Sequence, residues 1–188
     1  MKKILFLDID DTLLVSNNMY IYVHYNNGEK IKLNTNDFAK FSFNNLKNYK
    51  IDYADFDNPY KIKDSIINSK PLYDNLKIID EYVKNDWELG ILTARGEENA
   101  VKEVIHLFLK KNLKNNFILK YSNIYAVGDR KINYSGKNAY YKKLLILKKY
   151  INKYDKVCLI DDSVKMCNII SNFNKTCLLS SNIDFINV

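Results

Sequence analysis

The chain has 188 residues and a mass of 22.1 kDa, enough for one domain with a proper core and room for a small insertion. Hydrophobic residues at 47% and charged residues at 27% exclude a disordered chain, and five Gly and two Pro exclude collagen or a low-complexity linker. No apolar run approaches the roughly 18–20 residues of a membrane span, and 29 basic against 22 acidic residues give a charge of +7, which permits an anionic partner without requiring one.

In chain order, Met1–Leu7 (MKKILFL) opens like a signal peptide. Asp8, Asp10 and Asp11 interrupt it before an apolar core of that kind is complete. The run over residues 2–9 therefore predicts a first strand buried on both faces, in a reducing, cytoplasmic compartment. Residues 19–33 alternate aliphatic and Tyr positions around Asn26-Asn27-Gly28, a hairpin signal. Residues 34–49 read as a helix capped by Asn34 or Thr35, with Phe38, Phe41 and Leu46 as its apolar positions. Residues 50–59 read as a loop, followed by a short helix over 60–68. Pro71 suits the first turn of a helix carrying Leu72, Leu76, Ile79 and Val83.

Trp87–Ala94 predicts a second buried strand, and Glu97–Lys111 a periodic helix. A third strand falls within 118–127. Asn138 caps a helix running to about Tyr150, and Lys156–Ile160 is a fourth strand ending at Asp161. A short helix over Val164–Ser171 and a fifth strand over Thr176–Leu179 complete the pattern. Strands alternating with helices predict an α/β fold, a Rossmann-like, mainly parallel sheet sandwiched by helices. Residues 1–16 and 71–188 form the core, and residues 17–70 form a hairpin-and-helix insertion.

The basic residues are almost all Lys, with Arg95 and Arg130 the exceptions, in a chain also crowded with Asn, Ile and Tyr. AT-rich coding produces that bias without a functional cause. Cys158, Cys167 and Cys177 show no CxxC spacing, so no zinc site is expected. Cys158 and Cys177 read as small buried hydrophobes.

Three polar clusters follow three apolar strands: Asp8-Ile9-Asp10-Asp11-Thr12, Thr93-Ala94-Arg95-Gly96 and Asp161-Asp162-Ser163. In an open parallel sheet, ligands gather at the carboxyl ends of the strands, so the clusters converge if the strands are neighbours. Converged carboxylates repel unless a hard cation sits among them, and Mg²⁺ takes oxygen ligands of this kind. A carboxylate beside such an ion can attack phosphorus, while hydroxyls, amides and a Lys hold the phosphoryl oxygens. The plain alternatives are helix caps for Asp8, Asp10 and Asp162, a strand-end hydroxyl for Thr93 and a solvated loop for Arg95. Asp129 and Arg130, His24, His106 and the tyrosines Tyr20, Tyr22 and Tyr25 read as structural. Base stacking is a further role open to the three tyrosines.

Phe6–Leu14 (FLDIDDTLL) resembles the first motif of the haloacid dehalogenase-like superfamily of aspartate-nucleophile phosphatases. Ile91-Leu92-Thr93 resembles the second motif and Cys158–Ser163 (CLIDDS) the fourth. The resemblance implies Asp8 as nucleophile and Asp10 as acid and base with a pKa near working pH. It implies Mg²⁺ held by Asp8, the Asp10 carbonyl, Asp161 and Asp162, and phosphate bound by Thr93. Lys142–Ser163 and Thr93-Ala94-Arg95 are similar to the phosphatase domain of polynucleotide kinase/3′-phosphatase enzymes. That similarity puts Lys142 in the catalytic set ahead of Lys143 and Lys137, with Thr12, Ala94, Arg95 and Lys143 near the substrate. The expected activity is a Mg²⁺-dependent phosphomonoesterase acting on a nucleic-acid 3′ end. The alternatives are a phosphatase of nucleotides or other small esters, and a non-enzymatic nucleic-acid- or partner-binding protein on the same fold. No P-loop is present, so no fused kinase is expected.

Overall fold

A computed structural model describes residues 1–16, 18–41, 49–129, 138–176 and 183–188. The chain forms β1 (Lys3–Leu7), β2 (Leu14–Val15), the hairpin β3 (Ile21–Tyr25) and β4 (Lys30–Leu33), α1 (Thr35–Lys40) and β5 (Tyr49–Asp52). A 3₁₀ turn (Ala54–Asp57), α2 (Pro59–Asn68), β6 (Lys70–Pro71), α3 (Tyr73–Lys84), β7 (Glu88–Thr93) and α4 (Glu98–Asn112) follow. The chain ends with β8 (Leu119–Ala126), α5 (Ala139–Tyr150), β9 (Lys156–Asp161), α6 (Val164–Thr176) and β10 (Ile183–Asn187).

Alternation along β1 sends Leu5 and Leu7 into one core and Ile4 and Phe6 into another. A strand apolar on both faces must be covered on both. The main sheet accordingly has helices on either side, in the order β10-β9-β1-β7-β8 with every pairing parallel. From β1 the chain steps through β7 to β8, then returns across β1 to β9 and β10. Right-handed crossovers in opposite directions place the helices on opposite faces. Residues of α3 and α4 (Ile79, Val83, Val101, Ile105) line one core, and residues of α5 and α6 (Leu144, Leu147, Met166, Ile170) the other. The fold is thus α/β with a central parallel sheet. No helix of the described residues is long and apolar enough to cross a membrane.

Asparagine side chains cap α1, α2 and α5, as Asn34 accepts from Asp37 N–H, Asn58 from Tyr60 and Lys61 N–H, and Asn138 from Tyr141 N–H. The hairpin turns where expected, with Gly28 at φ 89°. The insertion differs from expectation in three places. Its helix over 34–49 is described only for Thr35–Lys40, and Leu46 lies outside the described residues. Residues 50–59 are no plain loop, because Tyr49–Asp52 pairs with β3 as a third strand. Pro71 does not open α3. It lies in β6, which pairs antiparallel with β2, so the chain leaves and re-enters the core at one neck.

The fifth core strand is Ile183–Asn187, whereas Thr176 closes α6 and 177–179 lie outside the described residues. Arg130, Lys137 and Cys177 also lie outside them. Cys158 and Cys167 are buried thiols.

Candidate active site

The strand order reverses about β1, and a crevice forms at such a switch point, outside the carboxyl ends of the strands. Leu7 is paired with Ile160 there, and the Asp8 amide donates to the Ile160 carbonyl at 3.0 Å. Asp8 and Asp161 thus meet because their strands are neighbours. The backbone then turns sharply, with Asp11 at φ 56° and the Leu13 amide donating to the Ile9 carbonyl at 2.9 Å. Thr12, fully buried, accepts from the Asp162 amide at 3.1 Å. Its oxygen joins the loop after β1 to the loop after β9.

One lysine enters the cluster. Lys143 Nζ lies 2.9 Å from Asp8 Oδ2 and 2.8 Å from Asp161 Oδ2, and is itself buried. Lys142, placed ahead of it from the sequence, does not make these contacts. Consecutive helical residues point about 100° apart. The apolar residues Leu144, Ile146, Leu147 and Tyr150 fix which side of α5 faces inward. Lys142 Nζ donates instead to the Val127 carbonyl at 2.9 Å.

Three carboxylates (Asp8, Asp161 and Asp162) offer oxygens within 4.8 Å of one another. With all three ionised, Lys143 offsets one negative charge and leaves two in excess. Asp8 Oδ1 is buried and has no hydrogen-bond partner. Burial pushes the Asp8 carboxyl up to about 8; Lys143 opposes this, and the charges of Asp161, Asp10 and Asp162 add to it. The Asp162 carboxyl is pushed up to about 6, by lost solvation first and then by Asp161 and Asp11, with Lys143 opposing. Burial opposes the charge on Lys143, but Asp8 and Asp161 outweigh it and hold the ammonium above its ordinary range. The donor set, all hard oxygen with an orphaned buried atom, suits a divalent cation of the Mg²⁺ kind.

Asp10 belongs to a second pair. Arg95, fully buried, donates from Nη2 to Asp10 Oδ1 at 2.8 Å and from Nε to Oδ2 at 3.1 Å. Its Nη1 donates to the Ile62 carbonyl of α2 at 3.1 Å, and the Ser16 hydroxyl donates to Asp10 Oδ1. Burial raises the Asp10 carboxyl, but the charge and hydrogen bonds of Arg95 and the hydroxyl of Ser16 prevail, and the net shift is downward. The pair with Arg95 thus favours the carboxylate form of Asp10, against the expectation of a value near working pH, and Arg95 is buried in that pair rather than in a solvated loop.

Thr93 ends β7 beside β1, fully buried, and its Oγ1 accepts from the Arg95 amide at 3.4 Å. Ala94 is exposed at the same strand end. The insertion holds this loop. Gly96 donates to the Phe56 carbonyl at 2.7 Å, and a Cβ on it would stand 1.9 Å from Asp57 Oδ1. On the other side, a Cβ on Gly128 would meet the Ala94 carbonyl at 2.3 Å. A cavity of about 620 Å³ opens beside the loop, with Tyr53, Asp57, Glu97 and Asp129 among its lining residues. Those carboxylates make it a poor seat for phosphate.

Asp129 accepts from the Glu98 amide at the start of α4 and also lines the cavity, while Arg130, the partner considered for it, lies outside the described residues. The Ser163 hydroxyl, rather than Asp162, accepts from Met166 N–H in the first turn of α6. Ser16 and the Ile62 carbonyl escape sequence reasoning, since nothing in the chain around them marks a partner for Arg95. Comparison with protein-family models, with curated proteins and with solved structures finds no match.

Proposed function

We propose that the chain is a Mg²⁺-dependent phosphomonoesterase of the haloacid dehalogenase-like type, acting through an aspartyl-phosphate on Asp8. The observation that carries this reading is the unbalanced cluster at the switch point: three carboxylates on one lysine, with a buried oxygen of Asp8 left unpaired. Asp8, Asp161 and Asp162 would hold the cation, with the Asp10 backbone carbonyl. When bound, it would favour the ionised form of these carboxylates, offset their charge and polarise the phosphoryl oxygens.

An Asp8 oxygen attacks phosphorus, and the bond from phosphorus to the ester oxygen breaks as the new bond forms. The departing oxygen takes a proton from Asp10 or from water. Water then attacks the phosphorus of the acyl phosphate and loses its proton to Asp10, the bond to Asp8 breaks, and phosphate leaves. The pair with Arg95 favours the carboxylate of Asp10, the form that accepts the proton from water. Proton donation to the departing oxygen requires that pair to loosen. Lys143, held charged by its two acids, orients Asp8 and offsets charge developing on the phosphoryl group. Thr93, at the end of β7 beside β1, would supply a hydroxyl to a phosphoryl oxygen.

The substrate we propose is a nucleic-acid 3′-phosphate, a reading the basic balance of the chain favours. The test is a panel of 3′-phosphorylated oligonucleotides, 5′-phosphorylated ones, mononucleotides and p-nitrophenyl phosphate, with and without Mg²⁺, for the native chain and Asp8→Asn. Turnover that needs Mg²⁺ and vanishes in a folded Asp8→Asn is expected, with 3′-phosphorylated oligonucleotides preferred. Turnover retained by Asp8→Asn or indifferent to Mg²⁺ removes the mechanism. Preference for mononucleotides replaces only the substrate.

A further inference from the structure

The insertion carries a three-stranded antiparallel sheet in the order β4-β3-β5. Side chains alternate along a strand, and directly paired residues share a face. Tyr22 is paired with Lys32 on one side and Asp52 on the other, and His24 with Lys30 and Lys50. One face therefore presents Tyr22, His24, Lys30, Lys32, Lys50 and Asp52. The other sends Ile21 into the core, with Val23 also buried and Ile51 packed against that core.

On the outer face the lysines are exposed and the aromatic rings half-buried between them. Lys30 Nζ stands 3.9 Å from the Tyr22 ring centre, and Lys32 Nζ 3.6 Å from that of Tyr20. Lys61 of α2 adjoins the same two tyrosines, already paired with Asp55 at 2.7 Å. Asp52 engages His24 at 3.6 Å. Among the described residues, Lys30, Lys32 and Lys50 are in no ion pair with a carboxylate. Lys30 and Lys50 stand on the two edge strands, either side of His24 on β3. The ring contacts hold Lys30 and Lys32 in place without neutralising them, and a polyanion with flat bases meets both halves of that arrangement. Lysines track its phosphates, and tyrosine faces stack its bases.

The face also leads to the acids. β4 runs into α1, whose Thr35 side chain lies against the Asp11 carboxylate, next to Asp10. At about 3.3 Å per residue, Lys32 stands about 10 Å and Lys30 about 17 Å of strand from that point.

We infer that the outer face of the insertion sheet, built from Tyr20, Tyr22, Lys30, Lys32 and Lys50, binds single-stranded nucleic acid. As a surface it stands by itself. As the guide that brings a phosphorylated strand end to Asp8, it rests on the phosphatase reading. It binds any base sequence, because phosphate contact and stacking carry no base code.

The test is fluorescence anisotropy of the full chain with a labelled oligo-dT of about twelve residues carrying no terminal phosphate, titrated at several KCl concentrations. Binding is expected to weaken with salt. Lys30→Glu with Lys32→Glu should reduce affinity about tenfold or more and flatten the slope of log affinity on log salt by about 1.4, that is about 0.7 per phosphate lost. Tyr22→Ala should reduce affinity and leave the slope unchanged. Should the double charge reversal unfold the insertion, Lys30→Gln with Lys50→Gln gives the same readout with gentler change. Absence of binding by the native chain, unchanged binding in the lysine variants, or equal affinity for a duplex of the same length overturns the assignment. Hydrolysis of p-nitrophenyl phosphate, read alongside, should be unaffected by the lysine variants. Oligonucleotide binding without hydrolysis overturns the phosphatase reading alone, and hydrolysis without binding overturns this surface alone.

Discussion

Lys142 and Lys143 are one helical step apart, and that step decides which ammonium meets the acids. Alanine at 143 would leave Asp8 and Asp161 buried without their shared counter-charge. Breaking such a buried pair costs about 3–5 kcal/mol, and the loss of an oriented charge costs catalysis about 100-fold. Lys142→Ala removes one bond to the Val127 carbonyl and should change turnover by no more than a few-fold. Rates and melting temperatures of the two variants check this, and a larger effect at 142 contradicts it. The lysine that meets the two acids could have been found in the sequence. Lys143, Leu147 and Tyr150 repeat at the spacing of one helix face, which marks 143 as inward. Spacing to the following strand pointed to the neighbour instead. Arg95 is different. Its place at the end of a strand was plain, but its partners Asp10, Ser16 and Ile62 come from three separate segments that only the closed fold brings together.

At the scale of elements, the apolar runs of β1, β7 and β9 were readable because a strand buried on both faces leaves no polar alternation to confuse with a helix. β5, with Tyr49, Lys50 and Asp52, carries little apolar signal of its own and exists through its pairing with β3. The two-residue pairing of β2 with β6 is likewise invisible before the neck closes. One contact of the insertion with the site depends on Gly96, whose missing Cβ lets the Phe56–Asp57 turn sit on the Arg95 loop. Gly96→Ala forces Asp57 and the Phe56 carbonyl away and should cost about 1–3 kcal/mol. Combining it with Asp57→Ala should recover part of that loss. Thermal melts of the single and double variants test this, and a double variant no more stable than Gly96→Ala rules out the proposed clash.

Over the whole molecule, the chain order of the strands places acids from both ends of the sequence at one switch point, and stability carries the cost. The Asp8 carboxyl lies near 8 in the folded chain against an ordinary value of 3.8. Between those values the folded state holds a proton that the unfolded state has released, so the contribution of Asp8 to stability falls as pH rises from about 4 to about 8. Asp162 acts in the same direction up to about 6. Asp10, shifted downward, has the opposite sign and loses its stabilising contribution only as acid protonates it. In the presence of EDTA, the melting temperature of the native chain relative to Asp8→Asn should therefore decline across that window. Mg²⁺ should restore the native chain most at the alkaline end, since a ligand bound only by the folded state stabilises it. A difference that grows with pH, or an equal Mg²⁺ effect on both proteins, contradicts the electrostatic arrangement.

The central claim is covalent: phosphorus is transferred to the side chain at position 8. Quenching the native chain with borohydride during turnover of p-nitrophenyl phosphate reduces an acyl phosphate to the alcohol, which peptide mass spectrometry locates. Homoserine at position 8, and nowhere else, is the expected product. Sustained hydrolysis with Asp8 unmodified, or reduction found at another carboxylate, contradicts the mechanism.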